Sequence, residues 1–347
     1  MKRVGILGLP GSGKTTVFQI LVQGAGNPVP AARDQVGVVR VPDERIDRLA
    51  ALYRPKKTTY TQIQFVDSAV SHPAGRAPRG PDLFASVRTC DALALVVRDF
   101  ANPAVPITGG VDPRRDLAEI ETELVLNDLA IVEARLERIE KELRVGKKQG
   151  AAEREVLAAA HRVLESARPL RGESFEGEAE KMLRGFQLLS RKPLLVVVNR
   201  DDGPSSTPPE PSLGSLVLAL RAELEREVVA LPPEDRAAFR AGLAIGEDGL
   251  SLVIRACYQL LGLISFFTVG PDEVRAWTTF QGARAVEAAG EIHSDMARGF
   301  IRAEAIGWRE LLESGGTAGA RTRGLLRLEG REYRVQDGDC LEIRFNK

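Results

Sequence analysis

Short runs of apolar, largely branched residues recur at 4–7, 62–66, 92–97 and 193–198, each bounded by polar or turn-forming sequence. Runs this short read as buried strands, and the helix-compatible or loop stretches between them predict a parallel, doubly wound α/β sheet. A different period governs 116–143. There apolar residues fall at Val125, Leu129, Val132, Leu136, Ile139 and Leu143, in steps that alternate four and three, the seam of a coiled coil. The segment "RVGKKQG" breaks this pattern before helix-like sequence resumes at 151–167. The spacing predicts an antiparallel helical hairpin inserted into the sheet domain, with two ordinary helices packed on the sheet as the alternative. The stretch "DDGPSSTPPEP" at 201–211 is a loop by composition. Beyond residue 263 short alternating stretches, ending in "LLRLEGREYRVQDGDCLEIRF", predict a small β-rich domain. Its hairpin strands are punctuated by Gly330 and by the turn Asp337-Gly338-Asp339.

Bulk properties narrow the picture only a little. The chain has 347 residues, room for two to three domains of roughly 100–150 residues each. Its 48 basic and 48 acidic side chains cancel, so any surface for nucleic acid must be a local patch. Cys90, Cys257 and Cys340 are far apart and form no CxxC pair, which argues against a zinc site or a disulfide framework and fits a reducing cytoplasm. No apolar run approaches the roughly 18 residues of a membrane span. The expectation is a soluble cytoplasmic protein without membrane contact.

The first strand runs into "GLPGSGKT" at 8–15, which fits the phosphate-loop pattern GxxxxGK[ST] without a mismatch and precedes a helix. Glycines allow the backbone N–H groups of Gly11, Ser12, Gly13, Lys14 and Thr15 to converge on phosphate, and the helix adds its positive N-terminal end. Lys14 is expected to reach the β and γ phosphates and to be the catalytic cation, and the Thr15 hydroxyl to ligate Mg²⁺. Asp67, which closes the run at 62–66, is the candidate for the second Mg²⁺-associated group; a surface turn is the plain alternative. After the fourth strand comes "NRDDG", where Asn199 and Asp202 have the NxxD spacing that holds a purine base, the asparagine bracing loops and the carboxylate facing guanine. A nucleotide kinase would carry an arginine-rich lid and an acceptor pocket, and neither is evident.

Several long stretches resemble the YchF group of Obg-related P-loop NTPases over nearly the whole chain. They include "GILGLPGSGKTTVF", "VGVVRVPDERIDRLA", "CDALALVVRDF", "KPLLVVVNRDDG", "LISFFTVGPDEVRAWT", "AAGEIHSDMARGFIRAEAI" and "VQDGDCLEIRFN". The resemblance implies a P-loop G domain at 1–111 and 191–262, a helical coiled-coil insert at 112–190 and a C-terminal β-grasp-like TGS domain at 263–347. It also implies cytoplasmic nucleotide hydrolysis, usually favouring ATP over GTP, and association with ribosomes. Residue by residue it carries over Gly11, Ser12, Gly13, Lys14, Thr15 and Thr16 for phosphates and Mg²⁺, Asp67 for the metal, and Asn199 with Arg200 for the base.

The departures from the family pattern cluster. Ala31 stands where members have a threonine that senses the γ-phosphate; Val70 and Ser71 replace a glycine and a hydrophobic residue of the second switch; Pro106 stands where a histidine is common. His72 lies nearby in sequence. Asp202 stands where the family has glutamate, which leaves ATP and GTP both open. Two functions follow: an enzyme that hydrolyses purine triphosphate slowly, its nucleotide state controlling ribosome or RNA contact, or a nucleotide-dependent binding module with little turnover. For the ribosomal partner, Arg321, Arg323, Arg327, Arg331 and Arg334 are expected to alternate along a strand of the TGS domain, with Lys147 and Lys148 at the tip of the helical insert as a second candidate.

Overall fold

The computed structural model describes residues 1–24, 35–67, 84–103, 105–106, 109–145, 150–203, 207–211, 214–242 and 248–346. The strands are β1 (Lys2–Leu7), β2 (Gln35–Arg40), β3 (Lys57–Thr59), β4 (Gln62–Asp67), β5 (Ala92–Asp99), β6 (Leu194–Arg200), β7 (Ser215–Leu220), β8 (Leu263–Thr268), β9 (Glu273–Phe280), β10 (Phe300–Gly307), β11 (Arg327–Glu329) and β12 (Asp339–Phe345). The helices up to residue 260 are α1 (Lys14–Gly24), α2 (Glu44–Tyr53), α3 (Ala85–Arg88), α4 (Pro113–Arg144), α5 (Ala151–Glu165), α6 (Gly177–Phe186), α7 (Ala222–Ala230), α8 (Pro233–Gly242) and α9 (Gly249–Leu260). After them come α10 (Ala285–Ile292), α11 (Ser294–Arg298), α12 (Trp308–Glu313) and α13 (Thr317–Thr322). Two compact units result: Met1–Val39 with Gln64–Leu260, and Arg40–Ile63 with Leu261–Lys347.

The first unit is built on a sheet of order β2-β4-β1-β5-β6-β7. The pairs β1–β5, β5–β6 and β6–β7 are parallel. Every residue of β5 is buried, as a strand covered on both faces requires. One core gathers Leu7, Val66, Leu93, Leu95, Val97, Leu194, Val196 and Val198 with Ile120 and Leu124 of α4. The parallel register brings the ends of β1, β5 and β6 to one edge, the edge at which α/β sheets bind ligands.

The second unit is a mixed sheet of order β11-β10-β12-β8-β9-β3. The pairing differs from the hairpins expected of 325–345, because β11 and β12 each lie antiparallel to β10, which runs between them. The arginines of 321–334 do not alternate on a strand either. Arg321 lies on α13 and pairs with Glu304 at 2.8 Å, whereas Arg323 donates to the Glu313 carbonyl. Arg327 on β11 pairs with Asp339, while Arg331 and Arg334 donate to the carbonyls of Phe300 and Gly282. The short helix and the turn after β11 break the period of two that the spacing suggested. This unit also takes in a segment from far upstream. Ile46 and Leu49 of α2 are completely buried against Phe267, Val274, Ile306 and Leu311, and β3 pairs with β9.

The long helix α4 starts where Asp112 accepts the N–H groups of Arg114 and Arg115, with Pro113 at its first position. Its first turns pack on the sheet through Ile120 and Leu124. Further along, Val125, Val132 and Ile139 are buried and Leu129, Leu136 and Leu143 half-buried in a core shared with Leu157, Ala160 and Leu164 of α5 and Leu183 of α6. The paired-helix reading therefore holds for α4 with α5, and only the first turns of α4 pack on the sheet as the alternative expected of both helices. Lys147 and Lys148 lie outside the described residues. Arg135 clamps Glu153 through two hydrogen bonds of 2.7 Å, tying α4 to α5. At the junction Asp128 is fully buried, its carboxylate oxygens accepting the backbone N–H groups of Leu189 (2.9 Å) and Ser190 (2.7 Å) just before β6. Replacing Asp128 by alanine leaves two buried donors unpaired and is expected to destabilise the first unit by about 2–4 kcal/mol. Urea unfolding followed by circular dichroism checks this; an unchanged midpoint contradicts it.

Candidate functional site

The phosphate loop is shaped by contacts that only glycine permits. Gly11 and Gly13 have φ of +78° and +89°, the left-handed region, so the peptide groups on either side of Ser12 turn in a way L residues resist. A Cβ on Gly8 would lie 2.5 Å from Ser12 Oγ, and one on Gly13 would collide with the Asn199 amide. The Ser12 N–H closes the turn on the Leu9 carbonyl at 3.1 Å, and Val17 N–H to Gly13 O at 2.9 Å opens α1. Behind the loop, α1 buries Val17, Phe18, Ile20, Leu21 and Val22, which anchors its positive N-terminal end at the loop. Lys14 and Thr16 are half-buried and Thr15 is exposed at this end.

Asp67 ends β4 and is 5 % exposed, so it is not the surface turn of the plain alternative. Burial pushes its carboxyl above the usual carboxylate range, opposed by the nearby Lys14 charge and a hydrogen bond from the Thr15 side chain. Its Oδ1 and the hydroxyl of Ser12 are buried without a hydrogen-bond partner among the described residues. A buried carboxylate with one oxygen unused beside a threonine hydroxyl suits a hard divalent cation, which takes few protein ligands and completes its shell with phosphate and water oxygens. Mg²⁺ therefore fits Asp67 and Thr15. Among the described residues there is no cluster of three or more acidic, histidine or cysteine side chains that would hold a metal without such help.

Asn199, next to last in β6, is 5 % exposed and holds two separate segments. Its Nδ2 donates to the Ser12 carbonyl at 3.0 Å, and its Oδ1 accepts the N–H of Ala222, the first residue of α7, at 3.2 Å. Arg200 closes β6 and is exposed, and Asp202 lies on the exposed turn that follows, where Asp201 Oδ1 accepts the Gly203 N–H at 2.9 Å. Asp202 is not unpartnered: Arg221, immediately before α7, donates to it at 2.6 Å. No local pattern could reveal Arg221 as its partner, since the ion pair is made by the fold. Arg98 is a second residue that motif reading passes over. It is 2 % exposed on β5 and its register partner is Asn199. A single arginine in the apolar run "ALALVVRD" was the available signal. Ala31, Val70, Ser71 and His72 lie outside the described residues; Pro106 is exposed.

Because the Asp67 pKa is raised by folding, the cost of ionising it is absent at low pH and develops as pH rises through its elevated pKa. Stability of the ligand-free chain should fall across that window. Asp67→Asn is accordingly expected to raise the melting midpoint of the ligand-free protein at pH 7 while weakening Mg²⁺-dependent triphosphate binding by about tenfold or more. Scanning calorimetry and nucleotide titration on one preparation check both signs; a lowered midpoint or unchanged binding contradicts the assignment.

Comparison with known proteins bears on this arrangement. A family model named YchF-GTPase_C, described as a protein of unknown function, matches residues 263–346. The ribosome-binding ATPase YchF of Bacillus subtilis is 39% identical over 360 residues, covering 99% of this chain and 98% of the relative. The protein of the same name from Escherichia coli O157:H7 is 36% identical over 359 residues, covering 99% of both. The solved structure of the Schizosaccharomyces pombe YchF GTPase superposes with a TM-score of 0.85 at 25% identity, over 99% of this chain and 97% of that one. A relative this similar along both full lengths, joined to a complete phosphate loop at the edge of a parallel sheet, leaves one conclusion: the chain belongs to the YchF family of P-loop NTPases.

Proposed function

We propose that the chain binds a purine nucleoside triphosphate with Mg²⁺ at its phosphate loop, hydrolyses it slowly, and uses its nucleotide state to control association with the ribosome. The observation that carries this reading is the buried, half-satisfied carboxylate of Asp67 beside Thr15 and Lys14 at the start of α1. Thr15 and Asp67 would hold Mg²⁺, which when bound offsets the negative charge of the phosphate oxygens. The chain's own contribution is positioning and electrostatics, the two terms that dominate phosphoryl transfer. Backbone N–H groups of 11–16 cradle the phosphates, and Lys14 brings a cation to the β and γ groups. Asn199 keeps Ser12 in place, so the cradle needs little rearrangement when ligand arrives.

The bacterial relatives are named ribosome-binding ATPases and the yeast structure a GTPase. ATP as ligand and the ribosome as partner come to this chain from those names. Within this reading, 1–111 with 191–262 form the G domain, although its segment 40–63 packs in the second unit, 112–190 form the helical insert and 263–347 the TGS domain, and the protein works in the cytoplasm. Among the described residues no helix is long and apolar enough to cross a membrane. Turnover is expected to be weak, because Pro106 offers no group to orient water, Ala31 lacks a hydroxyl, and Val70 is β-branched where a switch needs a pliant backbone.

Lys14→Ala is expected to lower ATP and GTP affinity by about 10- to 100-fold, the equivalent of one or two charge-assisted hydrogen bonds. Equilibrium titration of the folded variant, with single-turnover hydrolysis on the same sample and ribosome pelleting with and without nucleotide, tests the whole reading. Unchanged nucleotide affinity would sink it. For the base, Asp202 is already paired with Arg221, and both side chains are substantially exposed. Asp202→Ala should therefore weaken GTP by only about three- to tenfold and leave ATP nearly unchanged, since exposed pairs are worth little. Competition titration decides it, and equal losses for both nucleotides would remove Asp202 from base recognition.

A further inference from the structure

Arg98 is among the largest fully buried side chains of the described residues, at 2 % exposure in a strand that is otherwise apolar up to Asp99. A guanidinium keeps its charge, so burying it is unfavourable unless its N–H groups are satisfied. Here Nε donates to the Phe100 carbonyl at 2.9 Å, Nη1 to that of Val105 at 2.7 Å and Nη2 to that of Asn102 at 3.3 Å. The guanidinium carbon also lies 5.0 Å from the centre of the Phe100 ring. The Asn102 carbonyl in addition accepts the Val105 N–H at 3.1 Å. One side chain thus acts as the post around which the chain leaving β5 is wound. A core-filling role alone would be met better by an apolar residue of similar volume.

What the winding delivers is Val105. A Cβ on Gly11 would lie 2.8 Å from Val105 Cγ1 and 3.5 Å from Arg98 Nη1, so Val105 rests directly against the phosphate loop at one of its left-handed glycines. On the neighbouring strand the register partner of Arg98 is Asn199, which bonds Ser12 and abuts Gly13. Side by side, the two residues control three consecutive positions, Gly11, Ser12 and Gly13.

We propose that Arg98 is a positioning residue of the phosphate site, which by gathering the carbonyls of Phe100, Asn102 and Val105 seats Val105 on Gly11 and holds the phosphate loop in its ligand-ready shape before nucleotide arrives. This rests on the nucleotide reading above. Arginine suits the task because its planar fork spans three acceptors; lysine keeps the charge but carries its three donors on one nitrogen, which cannot span the same separated carbonyls. Pre-shaping of the loop slows ligand release, because the bound geometry is not lost when contacts loosen.

The test compares release of a fluorescent N-methylanthraniloyl ATP, chased with unlabelled ATP, from full-length wild type, Arg98→Lys, Arg98→Met and Val105→Gly. Arg98→Lys and Arg98→Met are expected to release about tenfold faster, alike, and Val105→Gly about threefold faster. Amide hydrogen exchange at 8–13 in the ligand-free protein should rise in step. Asp128→Ala, which loosens the same unit away from the loop, controls for general destabilisation and is expected to leave release unchanged. Wild-type release in Arg98→Lys would overturn the proposal, because charge alone would then suffice. So would wild-type release in Val105→Gly, which can be measured even where an Arg98 variant fails to fold, or equal acceleration in Asp128→Ala. A wild-type chain that binds no triphosphate would overturn the nucleotide reading itself; one that binds, with release unaltered by these variants, overturns this proposal alone.

Discussion

Parallel pairing of β1, β5 and β6 is the constraint on which the rest of the first unit depends. In a parallel sheet all strands point the same way, so the residues at their ends are delivered to a common edge however far apart they lie in the chain. The register is Leu7 with Leu95 and Arg98 with Asn199. It places the glycine loop after β1 beside an arginine from β5 and an asparagine from β6. That loop has few side chains of its own with which to hold a shape, and two of its residues adopt backbone angles that favour glycine. Its rigidity is therefore borrowed from neighbouring strands, through the Asn199 amide directly and through the Arg98-bound turn indirectly.

Burial of charge follows a consistent division of labour. Asp128 and Arg98 are buried and satisfied, one by two backbone N–H groups and the other by three carbonyls. Such groups tie segments together, because removing either side leaves an unpaired partner whose cost is larger than the net gain of the bond. Asp67 is different. It is buried and only partly satisfied, with a carboxyl that burial has made reluctant to ionise. That arrangement disfavours ionisation in the ligand-free fold, and on the proposed reading a bound cation would offset it, the usual compromise between stability and function at a binding site.

How much of this was legible in the sequence depended on whether a signal was local. The strands at 4–7, 62–66, 92–97 and 193–198 stood out because burial on both faces forces continuous apolar runs; the first three lie within strands of the first sheet and the fourth overlaps β6 from Leu194. β7 carries the apolar run "SLVLAL" but directly follows a Pro- and Ser-rich loop, and β2 contains a glycine, which masks its pattern. The heptad seam named Val125, Val132 and Ile139 correctly as core, yet it could not say that the same helix begins on the sheet. At the C-terminus the two readable strands looked like neighbours because they are close in sequence, whereas β10, further upstream, separates them. The five arginines failed for the same reason: their spacing suggested a strand face, and a helix and a turn intervene. Glycine positions of the phosphate loop were legible because the chemistry allows little else there. Arg221 was not, since it acquires meaning only from its partner in space, and the lone arginine of "ALALVVRD" marked Arg98 without disclosing what it binds.

Base selection shows how exposure limits what a residue can enforce. A site discriminates strongly when a wrong ligand leaves a buried polar group unpaired; a group that water can reach suffers no such penalty. The Asp202 carboxylate is 77% exposed and already engaged with Arg221. Losing guanine costs it one solvated contact, and losing Arg221 costs about 0–1 kcal/mol. Neither outcome can produce a large preference. Asn199, by contrast, is buried and bonds both Ser12 and Ala222, so it braces the phosphate loop. On the proposed reading, the exposed carboxylate of Asp202 would confer at most a weak preference between purines, whereas the phosphate loop would meet groups that every purine triphosphate shares.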